Sequence, residues 1–207
     1  MIILAVETTY KIATVTVMDG QTEVTVTADT AKKHAETILS AVRDALDRCG
    51  HTLREVDYVA VDVGPGSFTG LRIGVCVANA LGFALGIPVI PVDSLSVVGE
   101  QALSEADECY AMIDANNGNV YCAHLDRSCP VPSVRAESFA EFTAGIGEHD
   151  LAAGNVSTEG LPFRMIHQVP NSLSLARFAY RHPELARKTA EALYVQKSGA
   201  ERRRKKE

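Results

Sequence analysis

The stretch from Val59 to Pro91, VAVDVGPGSFTGLRIGVCVANALGFALGIPVIP, constrains the fold of this chain more than any other. It opens with a short β-branched run that ends at Gly64-Pro65-Gly66, which is typical of a buried strand followed by a turn. Ser67 or Thr69 is a suitable N-cap for a helix that continues to about Leu85. The stretch therefore predicts a strand, a glycine-rich turn, a long apolar helix and the start of another strand.

The predicted helix carries a stripe of small residues, because a glycine or alanine recurs at every fourth position. The stripe consists of Gly66, Gly70, Gly74, Ala78, Gly82 and Gly86. Since glycine costs about 1 kcal/mol relative to alanine inside a helix, this repetition indicates close approach by another backbone. The other faces are apolar too, which predicts burial on two sides. We interpret Gly70, Gly74 and Ala78 as a track for another helix, with internal packing as the alternative.

Three other interpretations of this stretch are weaker. A membrane span needs about 20 residues, and Gly86-Ile87-Pro88 interrupts the helix before that length. An anion site at the helix N-terminus is physically reasonable, but the sequence matches neither GxxxxGK[ST] nor GxGxxG. A nucleophile elbow requires one residue between its first glycine and its serine, whereas Ser67 directly follows Gly66.

Length and composition indicate a soluble globular protein with one large or two small domains. The chain has 207 residues and a net charge of -6, which disfavours a broad nucleic-acid surface. Its five cysteines are scattered and include no C-x-x-C pair, a usage that favours reduced thiols in the cytoplasm. The N-terminus resembles a strand from the start, so we expect no secretion signal.

The first half of the chain predicts a mixed sheet with helices. A three-stranded meander extends from Ile2 to Thr27, with Asp19-Gly20 as a hairpin turn. A helix from about Ala31 to Cys49 follows, and Val89 to Val92 forms a strand after the small-residue helix. Leu95 to Leu103 begins a further helix.

The second half repeats the opening of the first in outline. Two strand-like runs flank Asn117-Gly118, a hairpin signal, after a polar patch at residues 104–108. We predict a helix at Ser138 to Ile146, a strand at Leu151 to Asn155, and two helices at Ser172 to His182 and Pro183 to Ala192.

The block GPGSFTGLR, from Gly64 to Arg72, resembles the signature of the TsaB (YeaZ) family of tRNA threonylcarbamoyladenosine formation. The segments LAVETT, KHAETIL, IDANNGNVY and AGN occur in the family's order, and the resemblance is good over about the first 125 residues. It implies an α/β protein with an actin-like (sugar kinase/Hsp70-type) fold of two ribonuclease-H-like halves, with mixed sheets and helices. We divide the chain accordingly into residues 1–103, 104–195 and a charged tail, 196–207.

The resemblance also implies a non-catalytic, cytoplasmic subunit that supports its paralogue TsaD. TsaD carries the metal and transfers the threonylcarbamoyl group to adenosine 37 of tRNAs that read ANN codons, and the ATPase TsaE joins the assembly. We therefore expect no cofactor on this chain, with ATP and metal on the partners. We also expect a homodimer in isolation, tRNA contact only through the complex, and no membrane association.

The family's docking surface lies on the first two helices. We predict a partner-binding set of His34, Ile38, Val42, Phe68, Leu71, Arg72, Gly74, Val75 and Ala78. TsaD-like metal binding needs two histidines on one helical face, but Ile38 stands four residues after His34, and the other five histidines are isolated in sequence. We therefore predict no metal site and no catalytic residue.

Two rival functions are left open. An independent ATP-binding phosphotransferase or a metal-dependent nuclease of the same fold class would need several carboxylates around a metal, and Glu7, Asp62 and Asp114 are candidates. We interpret Glu7 and Asp114 as turn formers and Asp62 as a strand residue. The basic run from Arg202 to Lys206 could also contact tRNA directly, or serve only as a solubilising tail.

Overall fold

A computed structural model describes residues 1–28, 35–157 and 159–195 of the protein. Its first sheet contains five strands in the order β3-β2-β1-β4-β5. The strands are β1 (Ile3–Glu7), β2 (Thr14–Met18), β3 (Glu23–Thr27), β4 (Tyr58–Asp62) and β5 (Val89–Val92). β1, β4 and β5 are parallel to one another, and β2 and β3 add an antiparallel hairpin.

The second sheet repeats this arrangement. Its strands are β6 (Glu108–Asp114), β7 (Asn119–Asp126), β8 (Arg135–Ser138), β9 (Leu151–Gly154) and β10 (Arg164–His167). Read from its other edge, their order is β8-β7-β6-β9-β10, which matches the order of the first sheet position by position, with the same parallel and antiparallel pairs. The predicted echo between the two halves is therefore confirmed, whereas β8 and β10 were not predicted.

Six helices cover the sheets in the described part of the chain. They are α1 (Ala35–Cys49), α2 (Phe68–Leu85), α3 (Ser94–Gly99), α4 (Ala102–Glu105), α5 (Phe139–Thr143) and α6 (Ser172–Arg181). α2 has the predicted bounds, because the Ser67 hydroxyl accepts a bond from the Gly70 amide and Gly86 ends the helix in the left-handed conformation. The helix predicted at Leu95 to Leu103 is instead two short helices, α3 and α4.

The helix predicted at Pro183 to Ala192 is wrong. Within this range the helical part is a single 3-10 turn at Pro183–Leu185. The chain then becomes extended at Ala186, and the Arg187 backbone exchanges two hydrogen bonds with Val89 at the edge strand β5. Pairing with a sheet edge thus replaces continuation of the helix.

Strand β1 lies at the centre of the molecule, as its continuous apolar run predicts. All five of its residues are fully buried. Leu4 and Val6 face the core under α1 and α2, whereas Ile3 and Ala5 face the opposite core under α6. This alternation follows from the two-residue repeat of a strand.

The two halves exchange one helix each. α3 belongs to the first half in sequence but packs against β6, β7 and β9 of the second sheet, with Leu95 and Val98 in that core. α6 comes from the second half but packs on β1 and β2 of the first sheet, with Leu175 and Phe178 in that core. The division at residue 103 stays a prediction, but it separates each of these helices from the sheet that it covers.

Candidate functional site

Three acidic residues meet at one edge of the first sheet, which we call the acid corner: Glu7, Asp62 and Asp93. Glu7 ends β1, Asp62 ends β4 and Asp93 directly follows β5. Because these strands are parallel, their carboxyl ends lie at the same edge, where ligands commonly bind in open α/β sheets. Glu7 and Asp62 are completely buried.

Hydrogen bonds hold Asp62 firmly and link it to Glu7. Its Oδ1 accepts bonds from the Gly64 amide at 2.7 Å and the Ser94 hydroxyl at 2.6 Å. The Thr9 hydroxyl lies 2.7 Å from Glu7 Oε1 and 3.2 Å from Asp62 Oδ2. Glu7 Oε2 is the one buried side-chain polar atom without a partner in the described part of the chain.

This geometry favours one proton shared within the Glu7 and Asp62 pair. Burial, and next the charge of Glu7, raise the pKa of Asp62 well above its ordinary value. The Thr9 hydroxyl has a single proton, so it can donate to only one of the two carboxyl groups. A proton on Asp62 supplies the missing donor and removes one of two like charges. Glu7 is thus part of a buried pair. Its interpretation as a turn former is also confirmed, because its Oε1 accepts bonds from the amide and the hydroxyl of Thr9 in the turn after β1.

Two further acidic residues, Asp114 and Asp93, accept hydrogen bonds from nearby backbone amides. Asp114 Oδ1 accepts a bond from the Asn116 amide at 2.8 Å in the hairpin turn after β6, which confirms its turn role. Asp93 caps α3 by accepting from the Leu95 and Ser96 amides. Burial of its carboxyl group raises the pKa of Asp93 to about 6, although the residue as a whole keeps some exposed surface.

The N-terminal end of α2 closes the acid corner. A Cβ on Gly66 would lie 2.8 Å from the Thr9 carbonyl oxygen, and one on Gly70 would lie 1.9 Å from that of Thr8. The Thr8 hydroxyl also donates to the Gly70 carbonyl at 2.7 Å. Because the start of α2 lies directly against the β1–β2 turn and both Glu7 and Asp62 are fully buried, phosphate groups could reach these acids only if α2 moved away from the turn.

The small-residue stripe therefore packs within the chain. A Cβ on Gly74 would lie 2.3 Å from Thr8 Oγ1, and Ala78 is completely buried in the core under α2. The interpretation of Gly70, Gly74 and Ala78 as a track for another helix is wrong. The backbone of the β1–β2 turn approaches Gly66 and Gly70, and the Thr8 side chain of that turn approaches Gly74.

We expect the Asp62→Asn substitution to remove a pH-dependent loss of stability. The raised pKa means that folded Asp62 binds its proton more tightly than unfolded Asp62, so its favourable contribution is complete below about pH 3.8 and is lost as the pH rises through the raised pKa. Asparagine keeps the acceptor for Gly64 and Ser94 and places an amide donor towards Glu7. Chemical unfolding between about pH 4 and pH 8 measures the difference.

The variant should gain stability over the parent as the pH rises across that range. Asp93 also titrates there, and the charge of Asp62 is one cause of its raised pKa. The comparison is therefore repeated in an Asp93→Asn background, in which the difference between the two curves isolates Asp62. Parallel curves would show that the pair does not share a proton.

The outward face of α2 presents a second candidate surface. Its exposed side chains recur every three or four residues at Arg72, Cys76, Ala80 and Phe83. Phe83 is 89% exposed, more than any other large apolar side chain in the described part of the chain. We call this surface the outer face of α2. Within the described residues α2 is also the one helix whose length and hydropathy would allow a membrane span, but its inner side lies in the protein core.

An aromatic cluster forms one end of the outer face. The Arg72 guanidinium lies 4.0 Å above the Phe68 ring, and the Phe68 and Tyr194 rings are 5.2 Å apart. Arg72 Nε also donates to the Tyr194 hydroxyl at 3.4 Å. Rigid aromatic rings next to an arginine are common at protein interfaces.

The predicted partner-binding residues fall into three groups. His34 lies outside the described residues. Ile38, Val42, Leu71, Gly74 and Ala78 are buried in the chain's own core. Phe68 and Arg72 are exposed and Val75 is half-buried, so these three side chains can reach a partner.

Sequence reasoning missed Phe83 and Tyr194. The apolar composition of α2 predicts burial for Phe83 too, although this residue lies on the same helical side as Arg72, whose charge indicates solvent. Tyr194 is brought to α2 by tertiary contacts across 122 residues, for which no local signal exists.

Comparisons with known proteins give a consistent result. Residues 24–146 match the family model described as "TsaD: tRNA N6-adenosine threonylcarbamoyltransferase". Curated relatives named "tRNA threonylcarbamoyladenosine biosynthesis protein TsaB" occur in Haemophilus influenzae and Escherichia coli. The first is 36% identical over 113 residues (54% of this chain, 46% of the relative), and the second is 37% identical over 98 residues (46% and 42%). The chain thus spans about half the length of these relatives.

A solved structure covers nearly the whole chain. The structure titled "YeaZ from Pseudomonas aeruginosa" has a TM-score of 0.74 and 27% identity, over 93% of this chain and 99% of that one. These matches confirm the resemblance and the predicted fold class.

Proposed function

The chain belongs to the family described as TsaD, tRNA N6-adenosine threonylcarbamoyltransferase, and we propose that it is a non-catalytic subunit of that tRNA modification. In this role it binds and supports a TsaD protein, in an assembly that also contains the ATPase TsaE. The product is N6-threonylcarbamoyladenosine at position 37 of tRNAs reading ANN codons. The site of action is the cytoplasm, and tRNA is contacted through the complex.

The observation that carries this proposal is the outer face of α2. α2 exposes Phe68 at its N-terminal end and Phe83, almost fully, near its C-terminal end, and these apolar side chains cost solvation energy unless another protein covers them. Aromatic and arginine side chains provide much of the binding energy at protein interfaces, and both types are present here. A partner protein is therefore the kind of ligand that this surface suits.

The acid corner supports the non-catalytic part of the proposal. Phosphoryl transfer and nuclease chemistry need carboxylates that are ionised and accessible to a metal and a substrate. Glu7 and Asp62 are fully buried, the pKa of Asp62 is raised, and Gly66 and Gly70 are in contact with the adjoining turn. These properties suit a structural pair, so we also expect ATP and metal to be bound by the partner proteins.

Co-expression with TsaD from the same organism tests the proposal. We expect the two chains to co-elute on size-exclusion chromatography, while the isolated chain elutes as a homodimer that uses the same surface. Depleting this chain from cells should reduce the threonylcarbamoyladenosine content of the tRNA. Separate elution, together with unchanged tRNA, would exclude the role.

The rival enzymatic function has its own measurement. Titration of the isolated chain with Mg²⁺ and ATP should show no turnover if the acid corner stays closed. Tight nucleotide binding with hydrolysis would favour the independent phosphotransferase instead.

A further inference from the structure

A second polar cluster lies away from the acid corner and away from the outer face of α2. It contains Asp19, Cys49 and His51. A carboxylate oxygen, a sulfur and a ring nitrogen from these residues all lie within 4.8 Å of one another, and each residue is partly buried. The part of the chain that the structure describes contains no other such group of three possible metal ligands.

The local fold fixes each member of the cluster. Asp19 follows β2, and its Oδ1 accepts bonds from the Gln21 and Thr22 amides at 2.8 and 2.7 Å. Its Oδ2 is thereby directed towards His51 Nε2, 2.9 Å away. The cluster is therefore supported by backbone hydrogen bonds and does not depend on freely rotating side chains alone.

The end of α1 brings the other two residues together. Cys49 is the last residue of α1, and Gly50 reverses the chain in the left-handed conformation with φ of 78°. The His51 amide then bonds back to the Leu46 carbonyl at 3.0 Å. This turn places the cysteine and the histidine, two residues apart, beside the same carboxylate.

We propose that Asp19, Cys49 and His51 form a binding site for a divalent transition-metal cation of the Zn²⁺ type, with a fourth position open to solvent. Thiolate, imidazole and carboxylate are the three side-chain ligands that Zn²⁺ uses in proteins. Tetrahedral coordination at ordinary bond lengths separates such ligand atoms by about 3.3–3.6 Å, so only small side-chain rotations are required. The partial negative charge at the C-terminus of α1 also favours a cation at this point.

Electrostatics at the cluster favour an ionised Asp19 and keep the Cys49 thiol protonated until a metal binds. The hydrogen bond to His51, followed by the two backbone bonds, holds the pKa of Asp19 well below its ordinary value, so this carboxylate is ionised. Burial and the charge of Asp19 raise the pKa of the Cys49 thiol. Metal binding therefore forms a metal–sulfur bond, breaks the S–H bond and releases that proton to solvent. The hydrogen bond from His51 Nε2 to Asp19 is broken as well, and the proton leaves that nitrogen so that its lone pair can bind the metal.

Titration of the full-length, metal-free protein with Co²⁺ under reducing conditions tests the proposal. We expect one equivalent of Co²⁺ to produce a thiolate-to-cobalt charge-transfer band in the near ultraviolet, and Zn²⁺ to displace it. Cys49→Ser should abolish the band. Asp19→Asn and His51→Gln should each weaken Zn²⁺ binding at least about 10-fold, because ligand loss costs no less than loss of a supporting contact.

Matched controls are available in two exposed cysteines, Cys76 and Cys129. Cys76→Ser and Cys129→Ser should leave the band and the Zn²⁺ affinity unchanged. Thermal unfolding without metal checks that each variant is folded. If the Cys49→Ser variant does not fold, the His51→Gln variant provides an independent test, because His51 is partly exposed. A band that persists in Cys49→Ser, or equal Zn²⁺ affinity in the parent and in the His51→Gln variant, would overturn the proposal.

Discussion

Replacing Gly70 with alanine is expected to destabilise the protein by about 3 kcal/mol or more, although helix propensity alone predicts a gain of about 1 kcal/mol. The added Cβ would lie 1.9 Å from the Thr8 carbonyl oxygen. That atom belongs to the backbone of the β1–β2 turn, so relief requires α2 to move away from the turn. Denaturant unfolding measures the change in the free energy of unfolding. A decrease shows that the steric contact dominates, and an increase shows that helix propensity dominates.

Gly74 provides a matched comparison, because its added Cβ would meet a side-chain atom, Thr8 Oγ1, at 2.3 Å. We expect Gly74→Ala to be destabilising in the parent but well tolerated in a Thr8→Ala background, whereas Gly70→Ala should be destabilising in both. Exposed Ala80 on the same helix serves as the control, since Ala80→Gly should cost only about 1 kcal/mol. A stabilised Gly70→Ala variant would contradict the close approach of helix and turn.

Replacing Phe83 with glutamate is expected to weaken association with TsaD about 30-fold or more, which corresponds to the roughly 2 kcal/mol of an interface hot spot. The substitution places a charge in the middle of an apolar contact while leaving the fold intact, because Phe83 is 89% exposed in the isolated chain. Isothermal titration or surface-based binding of purified TsaD measures the effect.

Val131→Glu is the matched control, since Val131 is 63% exposed and lies between β7 and β8, on the other half of the molecule. It should bind TsaD like the parent. If both variants bind equally well while the parent complex forms, the outer face of α2 is not the docking surface. The family role would then remain, with its interface elsewhere.

The elements that the sequence predicts correctly carry strong local signals. α2 has a serine cap, a long apolar run and a terminal glycine, and β1 is a continuous apolar segment. β8 and β10 lack such signals, because RAES and RMIH are short edge strands with no sustained apolar alternation. The segment after Pro183 was misassigned because its pairing partner, Val89, is almost 100 residues away in sequence.

The geometry of the candidate sites is harder to predict from the sequence than the helices and strands are. Glu7 and Asp62 are recognisable one at a time as candidate carboxylates, but their pairing depends on the parallel strands β1 and β4, which end 55 residues apart in sequence. His51 was interpreted as isolated, because Asp19 joins it only through the packing of a hairpin turn on the end of α1. In both cases tertiary structure brings the two residues together, and a local sequence pattern does not predict such contacts.

The exchange of α3 and α6 means that neither half of this molecule is a module that can be excised. Each sheet would lose the helix that fills one of its cores, exposing residues such as Leu95 or Phe178. Loss of either helix should therefore disrupt both halves together, so that unfolding is a single cooperative event. If the repeated strand order arose by duplication of an ancestral half, the exchange is a step after which the two copies could no longer be separated.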